Sequence, residues 1–200
     1  MLKIFLTTPP IEKVVEPIYD KPGFIRTSLA TLLGILRKDD RLKLGYSDAK
    51  FEQKNHASLL AEIVNFEPDL LGISAFTYEI IAAGELAGEV KKRFPDCLVL
   101  IGGSHVTALP AQTLIEFPSF DVAVVGEAEH SLPEICEAIS LHRDWKQIKG
   151  IAYRSTSGDI QCTPTREKIQ DLDQFPMPAW DLFPAASEYF IQSSRGCPYN

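Results

Sequence analysis

The sequence predicts an α/β domain built on a doubly wound parallel sheet. Five short apolar segments recur along the first two thirds of the chain, and most are followed by stretches with helical spacing of apolar residues. The later strand-like segments end in small or polar residues rather than in further apolar ones. Regular alternation of strand and helix favours a parallel sheet that is covered by helices on both faces.

The first predicted strand covers residues 3–6 and runs into a loop that contains prolines at positions 9, 10, 17 and 22. A helix is predicted over residues 28–38, where leucines form one stripe: Leu29, Leu32, Leu33 and Leu36. The second strand follows at Leu42–Ser47. The next helix spans residues 57–66 and ends before Pro68, because proline cannot continue a helix.

The third strand, Leu70–Ser74, is almost continuously apolar, as expected for a strand that is covered on both faces. A helix follows over residues 78–94, with apolar residues recurring every three or four positions. Thr77 is its predicted N-cap, and Glu79 lies in its first turn. Three basic residues in the last turn complement the negative end of the helix dipole: Lys91, Lys92 and Arg93.

The fourth strand is predicted at residues 98–101 and is followed by a short helix over residues 111–116. The fifth strand, residues 122–125, precedes a helix over residues 132–141. Because crossover connections between parallel strands are right-handed, such an order of elements allows few topologies. We therefore predict a flavodoxin-like, five-stranded parallel sheet for residues 1–145.

The spacing of apolar residues changes after about residue 146. Residues 150–154 and 160–163 flank a turn that contains glycine, which predicts a β-hairpin. An extended connector follows, rich in proline and aromatic residues: Phe175, Pro176, Pro178, Trp180, Phe183 and Pro184. We assign the hairpin and the connector to residues 146–188. Residues 189–200 form a third segment, with a strand predicted at residues 189–193.

Composition argues against several classes of protein. The net charge is −7 and the chain has no basic run, so we expect no nucleic-acid partner. The apolar start at residues 2–6 is too short for a signal peptide or a membrane span. The four cysteines lie far apart without a C-x-x-C pair, which is typical of reduced thiols and favours a cytoplasmic location. Cys97, Cys136 and Cys162 are predicted to be small core residues.

Candidate ligand-binding residues gather where the third, fourth and fifth strands end. In an open parallel sheet, ligands bind beyond the carboxyl ends of the strands, near the point where the strand order reverses. The residues at these ends are small or polar: Ser74, Thr77, Gly102, Gly103, Ser104, His105, Gly126 and Glu127. Paired glycines would let a flat ligand approach the backbone closely, although they also form turns where no ligand binds. Hydroxyl side chains likewise cap helices.

At these strand ends the chain resembles the cobalamin-binding domain of B12-dependent radical S-adenosylmethionine (SAM) proteins. The matching segments are PDLLGISAFT at residues 68–77, IGGSHVTALP at residues 101–110 and VGEAE at residues 125–129. The connector DLDQFPMPAWDL at residues 171–182 and the terminal SRGCPY at residues 194–199 are similar to the same family. The segments occur in the family's order and cover nearly the whole chain. The resemblance implies a flavodoxin-like domain that binds cobalamin in its base-off form.

The resemblance also implies roles for the residues at the strand ends. Ser74 and Thr77 would hydrogen-bond the nucleotide tail of cobalamin. The two glycines of the loop at residues 102–105 would let the tail lie on the sheet edge, and Ser104 and His105 belong to the same loop. Gly126 and Glu127 would close the far side of the ligand.

Two features depart from related B12 domains. In the domains of mutases and methionine synthases, the histidine of a D-x-H-x-x-G motif ligates cobalt. None of the four histidines here has an aspartate two positions before it: His56, His105, His130 and His142. A histidine ligand of that kind is therefore not expected. In addition, Ala128 stands where the family often has glycine.

Residues 194–199 resemble the opening of the radical SAM signature C-x3-C-x2-C, whose thiolates hold a 4Fe-4S cluster. Cys197 would be the first ligand, and the next cysteine would lie just beyond Asn200. The resemblance implies a parent protein with a barrel-like radical SAM domain that binds SAM and acts as a methyltransferase or an oxidative cyclase. Because a four-iron cluster needs several thiolates in one loop, we expect the 200-residue chain to be a fragment without radical chemistry.

Other interpretations remain open. A flavodoxin-like domain that has lost B12 would act as a structural or interaction module. A receiver or flavin module is disfavoured, because the strand ends carry no acidic cluster and prolines in residues 7–10 donate no N–H groups. Without a barrel, we expect exposed aromatic surface around four residues: Phe175, Trp180, Phe183 and Phe190. Because large apolar patches favour association, we expect either a homodimer through the connector or a disordered tail.

Overall fold

A mostly parallel sheet runs through the middle of the computed structural model, which describes residues 1–10 and 24–196. Its strands are Leu2–Thr7 (β1), Leu42–Ser47 (β2), Leu70–Ser74 (β3), Leu98–Gly102 (β4), Val122–Val124 (β5), Ile151–Arg154 (β6) and Ile160–Cys162 (β7). They lie in the order β2-β1-β3-β4-β5-β6-β7. The first five strands are parallel, whereas β6 is antiparallel to β5 and β7 is antiparallel to β6.

Helices cover both faces of this sheet. They are Thr27–Leu36 (α1), His56–Phe66 (α2), Ile80–Arg93 (α3), Ser104–Ala108 (α4), Pro110–Glu116 (α5) and Ala128–Ser140 (α6), with short 3₁₀ turns at Thr77–Glu79 and Trp180–Leu182. Leucines of α1 and α6 pack on one face, and α2, α3 and α5 pack on the other. Among the described residues, the helices are too short or too polar to cross a membrane.

The predicted doubly wound fold is confirmed. The order β2-β1-β3-β4-β5 is that of a flavodoxin-like sheet, in which the direction of winding reverses between β1 and β3. The predicted hairpin corresponds to β6 and β7, and it widens the sheet by pairing with β5. The division of the chain at residues 145 and 188 stays a prediction.

Several element boundaries differ from the sequence prediction. Helix α3 begins at Ile80 after a 3₁₀ turn, so Thr77 is not its N-cap. Instead, the Glu79 carboxylate accepts the N–H of Phe76 at 2.7 Å. Helix α6 begins four residues earlier than predicted, and α4 was not predicted. The strand predicted at residues 189–193 is wrong, because that stretch forms no ladder and only the preceding residue makes an isolated bridge.

The connector packs on α1 rather than projecting from the domain. The N–H of Ala179 donates to the carbonyl of Ala30 at 2.8 Å. Phe183 is buried, and its ring lies 5.2 Å from that of Tyr46, so its predicted exposure is wrong. Phe190, by contrast, is 48% exposed, as predicted. The connector therefore covers part of α1 and leaves exposed aromatic surface near its end.

The three cysteines in the described part of the chain fall into two environments. Cys97 and Cys136 are buried, as predicted, and burial raises the pKa of each thiol to about 12. Both are therefore protonated and unreactive near neutral pH. Cys162 is exposed on the edge strand β7, so its assignment to the core is wrong.

Candidate functional site

A cavity of about 570 Å³ opens at the carboxyl edge of the sheet, between the strand ends and helices α1 and α6. Its floor is apolar and comes from strands β1, β4 and β5 and the two helices: Leu6, Leu29, Leu100, Val124 and Leu132. Its rim carries hydroxyl groups, backbone and paired charges. An apolar space of this volume with a polar rim is typical of a small-molecule site.

Six of the eight candidate residues line this cavity: Ser74, Gly102, Gly103, Ser104, Gly126 and Glu127. Ser74 and Gly102 lie directly opposite each other in the β3–β4 ladder. Thr77 and His105 do not line the cavity. The Nε2 atom of His105 is buried and has no hydrogen-bond partner among the described residues.

Gly102 leaves room that a side chain would fill. A Cβ atom placed on Gly102 would lie 3.9 Å from the Cβ of Val124, with no closer neighbour in the described part of the chain. Side chains alternate along a strand, so position 102 faces the same side of the sheet as Leu100, toward α1 and α6. The absence of a side chain at Gly102 therefore keeps part of the cavity open.

Glycine is required at position 103 for a different reason, which is the geometry of the backbone. Its φ is +119°, and a Cβ atom would lie 2.2 Å from the carbonyl oxygen of Ala75. Both observations exclude other residues, because the left-handed region is strained and the contact is closer than atoms can approach. The second glycine of the pair is thus required by packing of the β4–α4 turn on the end of β3.

The two glycines should respond differently to alanine. Gly103→Ala is expected to lower the free energy of unfolding by at least about 2 kcal/mol, because strain and a backbone clash add. Gly102→Ala should change it by less than about 1 kcal/mol, because the added Cβ makes only an ordinary van der Waals contact with Val124. Urea unfolding followed by circular dichroism compares them. Equal destabilisation by the two variants would contradict the assignment of a packing role to Gly103 alone.

Thr107, which the sequence did not single out, joins two of the loops. Its hydroxyl donates to the carbonyl of Gly103 at 3.0 Å and accepts the N–H of Gly126 at 3.0 Å. The side chain also lines the cavity. One hydroxyl therefore fixes the distance between the loops after β4 and β5.

Helix α1 supplies a wall that sequence reasoning missed. Ser28, Leu29 and Leu32 line the cavity, and the Ser28 hydroxyl lies 3.4 Å from the Ser74 hydroxyl. Arg26, just before the helix, places its guanidinium 4.2 Å from the centre of the Phe76 ring. Both Arg26 and Phe76 face the cavity. The start of α1 is thus part of the site.

A buried carboxylate holds Arg26 in this position. Glu79 is 4% exposed, and Arg26 donates to its two oxygens at 2.7 and 3.1 Å. Lys50 adds a second cation at 2.8 Å. Burial alone would raise the pKa of Glu79, but the hydrogen bonds and charges of Arg26 and Lys50 outweigh burial and lower it. Glu79 is therefore ionised at neutral pH.

A second group of paired charges lies on the opposite side of the cavity from Arg26. The Nη1 atom of Arg195 lies 3.1 Å from Glu127 Oε1, and its Nη2 atom lies 2.6 Å from Glu129 Oε1. The other carboxylate oxygen of Glu127 accepts the N–H of Ile169 at 2.8 Å. Glu127 therefore links the connector and the backbone around Arg195 to the loop after β5, and both its oxygens have protein partners.

The predicted metal site involves a residue that the structure does not describe. Cys197, the predicted first cluster ligand, lies outside the described residues. Within residues 1–10 and 24–196, no group of three or more histidine, cysteine or carboxylate side chains could hold a metal ion.

Comparison with known proteins identifies relatives that are longer than this chain. Along its whole length the chain is 32% identical, over 208 residues, to an uncharacterized methyltransferase, PH0819, of Pyrococcus horikoshii, of which it covers 44%. It is 28% identical over 183 residues to the anaerobic magnesium-protoporphyrin IX monomethyl ester cyclase of Rubrivivax gelatinosus, covering 86% of this chain and 33% of the cyclase. The chain thus spans less than half the length of these curated relatives.

Two solved structures share the fold. The cobalamin-dependent SAM radical enzyme OxsB, with aqua-cobalamin and SAM bound, matches 91% of this chain and 24% of its own with a TM-score of 0.76 and 19% identity. The radical SAM methyltransferase TsrM of Kitasatospora setae, with cobalamin and a 4Fe-4S cluster bound, matches 89% of this chain and 31% of its own, with a TM-score of 0.65 and 22% identity. The family model described as "B12 binding domain" matches residues 26–136, more than half of the chain. The chain therefore belongs to the B12-binding domain family.

Proposed function

We propose that this chain binds cobalamin in the cavity at the carboxyl edge of the sheet, as part of a B12-dependent radical SAM protein of the methyltransferase or cyclase type. The observation that carries the proposal is the cavity itself, which lies where β3, β4 and β5 end and is kept open at Gly102. The matched family supports the ligand, and the names of the two relatives, a methyltransferase and a cyclase, support the class of the parent protein.

The residues of the cavity suit a large, amide-rich ligand with an apolar body. Ser28, Ser74 and Ser104 offer hydroxyl groups at the rim, and the leucine-rich floor offers apolar surface. The cations at the rim already have carboxylate partners, so the site presents little net charge. When bound, cobalamin supplies a cobalt centre that carries a methyl group, while these residues place it.

We propose that cobalamin is bound base-off and without a histidine ligand from this chain. None of the four histidines lines the cavity, and none follows the D-x-H-x-x-G pattern. The apolar floor beneath the strand ends offers space for the nucleotide tail rather than a ligand for cobalt. Ser74 and Gly102, which face each other across β3 and β4, are proposed contacts of that tail.

The radical chemistry is proposed to need a further domain. In the parent protein, Cys197 would contribute one thiolate to a 4Fe-4S cluster that binds SAM. Tyr189, Phe190 and Ile191 form an exposed apolar run just before this cysteine, which is a suitable surface for such a barrel. By itself the same surface favours association between two copies of the chain.

The chain is titrated with hydroxocobalamin while visible absorption and heat are measured. We expect saturable, one-to-one binding. The bound spectrum should be that of a base-off form, because the nucleotide tail is proposed to lie in the cavity away from cobalt, and it should show no histidine ligation, because no histidine lines the cavity. The chain should not cleave SAM, because it holds one of the several thiolates that a cluster needs. Absence of binding at high micromolar ligand would favour the alternative of a structural module that has lost B12. Cleavage of SAM by this chain would contradict the proposal that the radical chemistry needs a further domain.

A further inference from the structure

The end of the described chain forms part of the cavity wall. Gln192 and Arg195 line the cavity that we assign to cobalamin. Arg195 and Glu127 also line a second cavity of about 550 Å³, so this ion pair lies between the two spaces. We call residues 186–196 the terminal segment. The terminal segment therefore borders the cavity, and a ligand in the cavity would lie against it.

The start of the terminal segment is held by aromatic contacts that remain partly open to solvent. The rings of Phe24 and Phe190 lie 4.5 Å apart, and the rings of Trp180 and Tyr189 lie 5.8 Å apart. Phe24, Tyr189 and Phe190 are all exposed. Aromatic pairs contribute about 0.5–1.5 kcal/mol each, so these two contacts alone would hold the segment only weakly.

The far end of the segment is held by Arg195. The Glu129 side chain is only 8% exposed and that of Arg195 is 22% exposed, so both charges are largely removed from water. Burial alone would lower the pKa of Arg195, but its hydrogen bonds with Glu129 and Glu127 raise it, and the guanidinium stays charged. Opening the segment would leave the buried Glu129 carboxylate without this cation, which is unfavourable.

We propose that Arg195 is a positioning residue that holds the terminal segment across the cavity and thereby limits the exchange of the corrinoid. The inference rests on the proposed cobalamin function and concerns the same site. The Arg195 pairs favour the closed arrangement, because Glu129 is buried. They still permit opening, because Glu127 is about one quarter exposed and pairs of that kind are weak. The same contacts fix where the chain leaves the site on its way to Cys197.

Two measurements test the proposal on the 200-residue chain. The first is backbone hydrogen exchange of residues 186–196 without ligand, and the second is the rate of association and dissociation of hydroxocobalamin after rapid mixing. Arg195→Met removes the charge and keeps the length of the side chain, and Glu129→Gln removes the buried partner. Arg37→Met is the matched control, because Arg37 pairs with Asp181 between α1 and the connector, outside the cavity.

Arg195→Met and Glu129→Gln should speed exchange in the terminal segment and raise both rate constants about tenfold, the effect of losing one partly buried charge pair. Arg37→Met should behave as wild type in both measurements. Unchanged hydrogen exchange in the variants would overturn the positioning role. Faster hydrogen exchange with unchanged rate constants for hydroxocobalamin would overturn the proposal that Arg195 limits the exchange of the corrinoid. If the wild-type chain does not bind hydroxocobalamin, both the proposed function and the control of corrinoid exchange are refuted. Faster hydrogen exchange in Arg195→Met would then support only the role of Arg195 in positioning the terminal segment.

Discussion

Replacement of Gly102 by leucine is expected to weaken the binding of hydroxocobalamin by about a hundredfold or more, while the domain remains folded. Position 102 is the last residue of β4, and its side-chain direction leads into the cavity next to Val124. A leucine there would take volume that the ligand needs. The backbone at position 102 is not left-handed, so the substitution adds no strain of the kind expected at Gly103.

A graded series makes the result specific. Gly102→Ala should weaken binding less than Gly102→Leu, because alanine adds one carbon and leucine adds four. Gln161→Leu, on the exposed edge strand β7, adds the same kind of side chain away from the cavity and should bind as wild type. Calorimetric titration gives the affinities, and thermal unfolding confirms that each variant folds. Wild-type affinity in folded Gly102→Leu would place the ligand outside this cavity.

The strand ends of the site could be predicted from the sequence because small residues there interrupt apolar runs. Thr77 and His105 lie outside the cavity for local reasons. His105 lies on α4, whose Ser104, Thr107 and Ala108 share the face that lines the cavity, and its own position is on another face. Thr77 begins a 3₁₀ turn, and Phe76 before it takes the place at the rim.

The charged part of the site could not be predicted in the same way. Arg26 and Glu79 are separated by 53 residues, and Arg195 and Glu127 by 68. The first pair forms because the start of α1 lies beside the end of β3, and the second forms because of the path of the connector. Neither arrangement produces a periodic pattern in the sequence. Charged residues close to predicted strand ends were the only available sign, and such residues are usually solvated.

Glu79→Gln is expected to lower the free energy of unfolding by about 3 kcal/mol at pH 7, because it removes the negative partner of two largely buried cations. Glutamine keeps the shape of the side chain and can still accept the N–H of Phe76, so the loss reports the charge. Arg26 and Lys50 are only 11% and 20% exposed, and water would solvate them poorly. Corrinoid binding should weaken as well, because Arg26 forms part of the cavity wall.

The effect should depend on pH in one direction. The pKa of Glu79 in the folded chain lies below its ordinary value of 4.5, so between these two values the native state binds fewer protons than the unfolded state. The stabilisation from ionised Glu79 is therefore fully present above about pH 4.5 and is lost as the pH falls through the folded-state pKa. Urea unfolding should show a constant difference between wild type and Glu79→Gln near neutral pH that shrinks in acid.

Two further variants separate the buried charge from a general loss of contacts. Glu89→Gln alters a carboxylate that is one third exposed and pairs with Lys92 and Arg93 on α3. It should have little effect, because ion pairs at the surface contribute little. If uncompensated charge causes the loss at Glu79, then the double variant Arg26→Met/Glu79→Gln should be more stable than the sum of the two single changes predicts. Simple additivity would instead mean that each side chain contributes its own contacts and that the pair does not act as a unit. Non-additivity, with Glu89→Gln close to wild type, would identify one buried carboxylate as the group that orients the cavity wall at α1.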